Sequence, residues 1–331
     1  MERFALAAAV VLGFALTAAL CSLFVPLRRV LERREQQQQP VQSEQPRPAP
    51  LRAPLWGGLC AAAGTVAAVG VGWLAACVGQ PELLGSEGRL MTRLLTALAG
   101  SLAFGAVGLA EDVARMRSPA ALGLRRDVRL LLEALAAAFV LLLLRAAGCL
   151  PRGLGVPGAG DVLLGSAVPF LWAVLMVALA ECARIAERDE GAVCGAAFVA
   201  MLALMMVEAG LGVSGLAVLP AALAGALVAL GLWAFPPARL GAGCCGSLLA
   251  AGAIGCIPLS LDMTSLTVPL ALPFWAAGGL LAAQLLCAKR TGKPLRCWVK
   301  KHKMSPETVF LCSFALSAVG YVLALALLRW C

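Results

Sequence analysis

Glu111 and Asp112 stand side by side at the end of a long apolar stretch. Neighbouring carboxylates repel each other, and such pairs commonly persist because they hold a divalent cation or a polar substrate. Arg115 follows Glu111 by four residues, so a local ion pair along one helix face is the other reading of the same spacing. A second group lies in Glu181–Gly191, where Glu181, Glu187, Asp189 and Glu190 crowd one short segment with Arg184 and Arg188. Oxygen-rich clusters of this kind suit Mg2+, which takes one or two carboxylates together with phosphate oxygens. The alternative is an internally paired loop, with Asp189 and Glu190 favoured beside the start of the next helix.

Two other segments supply no carboxylate cluster. Phe235–Ser247 (FPPARLGAGCCGS) combines helix-ending prolines with three glycines, which allow close backbone approach to a ligand or to another helix. As a bare pattern, a simple turn is the plainer reading. Lys289–Lys303 carries seven cations, a charge that attracts phosphate from a lipid headgroup or a nucleotide. His302, the one histidine of the chain, sits in that basic run, where a solvated side chain is the simpler reading. Ser305, Pro306 and Glu307 read as a helix start, with Ser305 as cap and Pro306 in the first turn.

The elements that must position these groups are apolar and long. Stretches at 4–27, 55–79, 93–110, 129–149, 162–180, 191–211, 213–234, 244–261, 266–288 and 308–330 each approach the roughly 20 residues needed to cross a bilayer. The gaps after the first, third, fifth, seventh and ninth hold 6, 5, 2, 1 and 7 Lys+Arg, counting Arg129 at the edge of its gap; that is 21 of the 27 in the chain. The positive-inside rule then predicts an all-α polytopic membrane protein of about ten helices, both termini outside and the charged gaps in the cytoplasm. All four chemistry-bearing segments fall in those gaps.

Composition agrees. Hydrophobic residues make up 61%, charged residues 14%, and mean hydropathy is +0.89, which excludes an ordinary soluble domain. Continuous rather than alternating apolar runs exclude a transmembrane β-barrel. The net charge of +9 is scattered over loops without an aromatic-rich module, so it predicts anionic lipid as a partner and no nucleic acid. Most of the thirteen cysteines lie within apolar stretches, without CxxC spacing, and read as small packing residues. Residues 1–27 form a first, retained helix, 28–54 a Gln- and Pro-rich cytoplasmic linker, and 55–331 a nine-helix membrane body, one domain overall. Such a body can also pair as a homodimer, and its expected location is the plasma membrane.

Taken in order, the four segments resemble the polyprenyl-phosphate N-acetylhexosamine-1-phosphate transferase superfamily (glycosyltransferase family 4), nearest its phospho-N-acetylmuramoyl-pentapeptide transferase branch. Pro54, Trp56, Gly57 and Gly58 are similar to a Pro-x-Met-Gly-Gly start of the second helix. FGAVGLAEDVARMRSPAALGLRRDVRLLLEAL is similar to the stretch carrying an Asp-Asp pair, and PETVFLCSFALSAVGYVLALALL resembles the last helix. The resemblance implies ten membrane helices and transfer of a phospho-sugar from a UDP-sugar to undecaprenyl phosphate, with Mg2+ and release of UMP, in peptidoglycan synthesis. It implies catalytic roles for Glu111 and Asp112, metal ligation by Asp112 and Glu187, and donor or phosphate contacts from Arg115, Arg184, Glu187 and Glu190. The family aspartate of the Met-Gly-Asp-x-Gly-Ser motif falls on Cys244, and the family Asn-x-x-Asn-x-x-Asp-Gly-x-Asp-Gly motif falls on Glu181, Arg184, Glu187, Arg188, Glu190 and Gly191.

Two functions follow from these residues. One is Mg2+-dependent phospho-sugar transfer, in which carboxylates and metal position two phosphates and neutralise developing charge. The other is a non-catalytic relative that binds lipid or nucleotide sugar, or acts as a membrane scaffold, its acids consumed by ion pairs at i,i+3 and i,i+4. A transporter of another family would carry ionisable groups within its spans; Glu133 and Glu208 are read as isolated or close to span ends.

Overall fold

The computed structural model describes residues 2–38, 56–79, 89–117, 123–150, 154–156, 160–162, 165, 167–187, 191–213, 215–235, 239–291 and 306–330. Helices carry every apolar stretch read from the sequence. They are α1 (Glu2–Gln38), α2 (Gly57–Gly79), α3 (Arg89–Arg117), α4 (Arg126–Ala146), α5 (Ala167–Ala186), α6 (Ala192–Gly210), α7 (Val218–Ala234), α8 (Gly243–Ser260), α9 (Thr267–Leu270), α10 (Leu272–Thr291) and α11 (Pro306–Trp330). Seven of them are long and apolar enough to cross a membrane, or eight if the bent α9–α10 pair forms one span. The chain is thus a helical, multi-pass membrane protein.

The ends of these elements differ from the sequence expectation where local chemistry overrides apolar length. α1 continues to Gln38, because the Arg, Glu and Gln residues after Val25 are good helix formers. The rest of the Gln- and Pro-rich linker lies outside the described residues. The stretch expected from 162 begins as helix at Ala167 instead. Before it, β1 (Leu154–Val156) and β2 (Gly160–Val162) form an antiparallel ribbon with Gly155 opposite Asp161, since glycines here disfavour helix. The ninth stretch bends by 63° between α9 and α10. Pro273 lacks an N–H, and its ring would strike the carbonyl of Pro269 four residues earlier in a continuous helix.

α8 is the centre of the fold. Each of its residues is buried, and it packs against α2, α3, α5 and α6. Without a hydrophobic driving force between helices in lipid, close van der Waals packing has to hold such a helix, and small residues permit it. Its sequence GCCGSLLAAGAIGCIPLS supplies them. The C-terminal ends of α3 and α5 and the N-terminal ends of α2, α4 and α8 gather at one end of the bundle, and the chemistry-bearing residues lie there.

Candidate functional site

The site is built around the first turn of α8. At its N-terminus the backbone N–H groups have no partner within the helix. Asp112, from the last turns of α3, supplies one: Oδ1 accepts from Cys244 N–H at 3.0 Å and Oδ2 accepts from Cys245 N–H at 2.9 Å. Both Asp112 (1% exposed) and Cys244 (0%) are shut from solvent. A carboxylate at a helix N-terminus gains from hydrogen bonds and from the helix dipole together, so this is a strong resting place for its charge.

Glycines make that approach possible. A Cβ on Gly108 of α3 would strike the Cys244 carbonyl, and one on Gly58 of α2 would strike Gly246 N. The first turn of α8 is therefore gripped from two sides. It presents its N–H groups to a side chain of the same protein.

Beside this cap lies a network of acids and arginines from three helices. Arg115 Nη2 donates to Glu111 Oε1 at 2.7 Å, and its Nη1 is 3.7 Å from Glu187 Oε2. Arg129 of α4 donates from Nε to Glu181 Oε1 at 2.7 Å and holds Nη1 3.6 Å from Glu111 Oε1. Arg184 Nη2 donates to Glu181 Oε2 at 2.7 Å. The i,i+4 and i,i+3 pairings that the sequence offered as alternatives are both formed, as Glu111–Arg115 and Glu181–Arg184. Gly123, at φ +69°, lies over Arg115, which a Cβ at this position would crowd.

Sequence reasoning brought Glu111, Asp112, Arg115, Arg184, Glu187 and Cys244 to this place, and the structure gathers all of them. The Cys244 thiol is within electrostatic reach of Asp112, Glu187, Glu111 and Arg115. Glu190, Asp189, Arg188 and His302 lie outside the described residues, as does most of the Lys289–Lys303 run.

Arg129 was missed. It pairs with a residue 52 positions away, and the available hint was its placement one turn before Glu133 on the same helix. Glu133 was set aside as isolated or close to a span end. It is fully buried, both carboxylate oxygens lack a hydrogen-bond partner, and Glu181, Arg129, Arg184 and Glu111 are within electrostatic reach. Glu208 of α6 is also buried, with Oε2 unpartnered.

These residues do not fit a Mg2+ ion. Both Asp112 oxygens are taken by backbone N–H groups, Glu181 is held by two arginines, and Glu111 Oε1 faces Arg115 and Arg129. Glu111 Oε2 is the buried oxygen of this pair without a partner. Among the described residues no group of three or more His, Cys, Asp or Glu is arranged to hold a metal. Cys244 contributes a thiol, a poor ligand for a hard cation.

The model of the glycosyl transferase family 4 matches residues 94–262, from α3 to the end of α8 and just beyond. The chain belongs to glycosyl transferase family 4. This supports the polyprenyl-phosphate sugar-phosphate transferase superfamily expected from the motifs. No curated protein matches the chain. Within this family-4 chain the matched region contains Asp112, the arginine network and the α8 cap that receives Asp112.

Proposed function

We propose that this chain is a non-catalytic family-4 protein that binds the phosphate head of a polyprenyl phosphate at its arginine-rich end. The single observation that carries this is the capture of the Asp112 carboxylate by the first turn of α8. A group that must ligate metal or activate a lipid phosphate has to present an oxygen to the ligand. Here each oxygen already accepts a backbone N–H and the side chain is closed off from solvent. Re-exposing it costs two hydrogen bonds to a charged group, each worth about 1.5–3 kcal/mol.

Binding is a lighter task than transfer. Arg117, Arg125 and Arg126 are exposed beside the closed network, and the Lys289–Lys303 run belongs to the same predicted cytoplasmic side. Cations near an anionic surface contribute roughly 1 kcal/mol each, enough to collect a phosphate headgroup without a metal. In this reading the bundle crosses the plasma membrane ten times with both termini outside. The bound lipid is undecaprenyl phosphate or a similar polyprenyl phosphate.

A second reading keeps the activity of the phospho-N-acetylmuramoyl-pentapeptide transferase branch, with Mg2+, a UDP-sugar donor and UMP release in peptidoglycan precursor synthesis. It is favoured by the convergence of Glu111, Asp112, Arg115 and Glu187 on the start of α8. Native mass spectrometry of the purified protein with undecaprenyl phosphate and a UDP-N-acetylhexosamine separates the two. The non-catalytic reading expects a lipid adduct that persists in EDTA and no UMP. Loss of the adduct in EDTA, or UMP formation, overturns it.

A further inference from the structure

We propose that Cys21 and Cys60 are a site of reversible disulfide modification that staples α1 to α2. The two helices pack against each other in antiparallel register. A Cβ on Gly72 would lie 3.0 Å from the Cβ of Ala9, and one on Gly64 would lie 3.3 Å from that of Thr17. On the other side of the pair, Phe24 and Trp56 stack with ring centroids 6.0 Å apart. One turn on from Thr17 and Gly64, the same register sets Cys21 opposite Cys60, and the two thiols are within hydrogen-bonding reach of each other. A disulfide needs Cβ atoms about 3.5–4.5 Å apart, a spacing that helices this close can supply.

Both cysteines are buried, in an apolar cluster with Ala61, Ala226 and Leu230. An oxidant has to reach them through hydrocarbon, which fits an apolar hydroperoxide dissolved in the bilayer. Its O–O bond breaks as one thiol becomes a sulfenic acid and the hydroperoxide an alcohol. The facing sulfur then forms the S–S bond and water leaves. The pair lies toward the predicted cytoplasmic ends of both helices, where thiol reductants return it to the reduced state by exchange. Cys60 follows Gly58, whose backbone lies against Gly246 in the first turn of α8. The bond therefore fastens α1 to the helix that grips the Asp112 cap.

The test uses purified full-length protein in lipid nanodiscs, treated with cumene hydroperoxide and alkylated under denaturing conditions. Disulfides are then mapped by mass spectrometry. Wild type is expected to yield a Cys21–Cys60 linked peptide and to melt several degrees above the reduced protein, and dithiothreitol is expected to reverse both. Cys60→Ala is expected to leave Cys21 alkylatable and to keep its melting temperature. If that variant does not fold, the wild-type mapping decides alone. Cys194 is within electrostatic reach of Cys21, and Cys245 of Cys60. Bonds to either of these, or to a second copy of the chain, in place of Cys21–Cys60 overturn the proposal. So do thiols that survive the oxidant, that oxidise only to sulfinic acid, or that form the bond without raising the melting temperature.

Discussion

Asp112 Oδ1 lies 3.0 Å from the backbone nitrogen of Cys244, 132 residues away in sequence. That hydrogen bond, with its partner to Cys245, joins α3 to the first turn of α8 and makes the Asp112 carboxylate a cap of that helix. The closed character of the site follows from it.

Removing the cap is therefore a stability experiment before it is an activity one. Asp112→Ala leaves two buried N–H groups without acceptors. A lost cap costs about 0.5–2 kcal/mol, and each buried unsatisfied donor about 1–3 kcal/mol. Asp112→Asn keeps one acceptor, so its melting temperature is expected between those of wild type and Asp112→Ala. Equal melting of all three proteins contradicts the cap.

Glycine substitutions separate helix propensity from packing. Alanine is favoured over glycine in a helix by about 1 kcal/mol. At Gly70 of α2 a Cβ meets nothing within 4 Å, so Gly70→Ala is expected to be neutral or stabilising. At Gly108 the same Cβ meets the Cys244 carbonyl, and backbone cannot rotate away as a side chain can. Overpacking of about 1–3 kcal/mol outweighs the propensity gain there, and Gly108→Ala is expected to melt below wild type.

The Arg129–Glu181 pair is testable by a double-mutant cycle. Arg129→Met and Glu181→Gln each strand a partner, so their effects on unfolding free energy are expected to be non-additive. A coupling of about 0.5–3 kcal/mol is the range for residues in one network. Additivity within a few tenths of a kcal/mol means that the 2.7 Å contact carries no energy.

Lipid capture by the charged end depends on exposed arginines rather than on the network. Arg125→Glu with Arg126→Glu reverses two exposed charges. Binding to vesicles or nanodiscs containing undecaprenyl phosphate is expected to weaken about tenfold or more, at roughly 1 kcal/mol for each charge removed and more for reversal. Raising salt is expected to weaken wild-type binding in the same direction. Unchanged binding in both experiments removes the electrostatic basis of the proposal.

Much of this protein is legible before folding because its strongest signals are local. Apolar length marked every helix that the structure describes, and i,i+3 and i,i+4 spacing offered the pairs Glu181–Arg184 and Glu111–Arg115. Helix ends were less accurate, as at Ala167, where glycines in the preceding segment favour a ribbon over the apolar pattern. Long-range chemistry was not legible at all. Nothing in the spacing joins Arg129 to Glu181 or Asp112 to the backbone of Cys244, since only the packing of α3 against α8, and of α4 against α3 and α5, creates those neighbours. The surroundings of Glu133 were missed for the same reason: its place in the sequence says nothing about Glu111, Glu181 and Arg184 of other helices.

The central claim is that the acids of this family-4 site are closed by the protein itself and do not transfer phospho-sugar. UMP release measures this most directly, with purified protein, undecaprenyl phosphate, Mg2+ and UDP-N-acetylmuramoyl-pentapeptide or another UDP-N-acetylhexosamine as donor. The expected result is UMP at the level of the protein-free control with every donor. Mg2+-dependent UMP release that Asp112→Asn abolishes in a protein still folded contradicts the account.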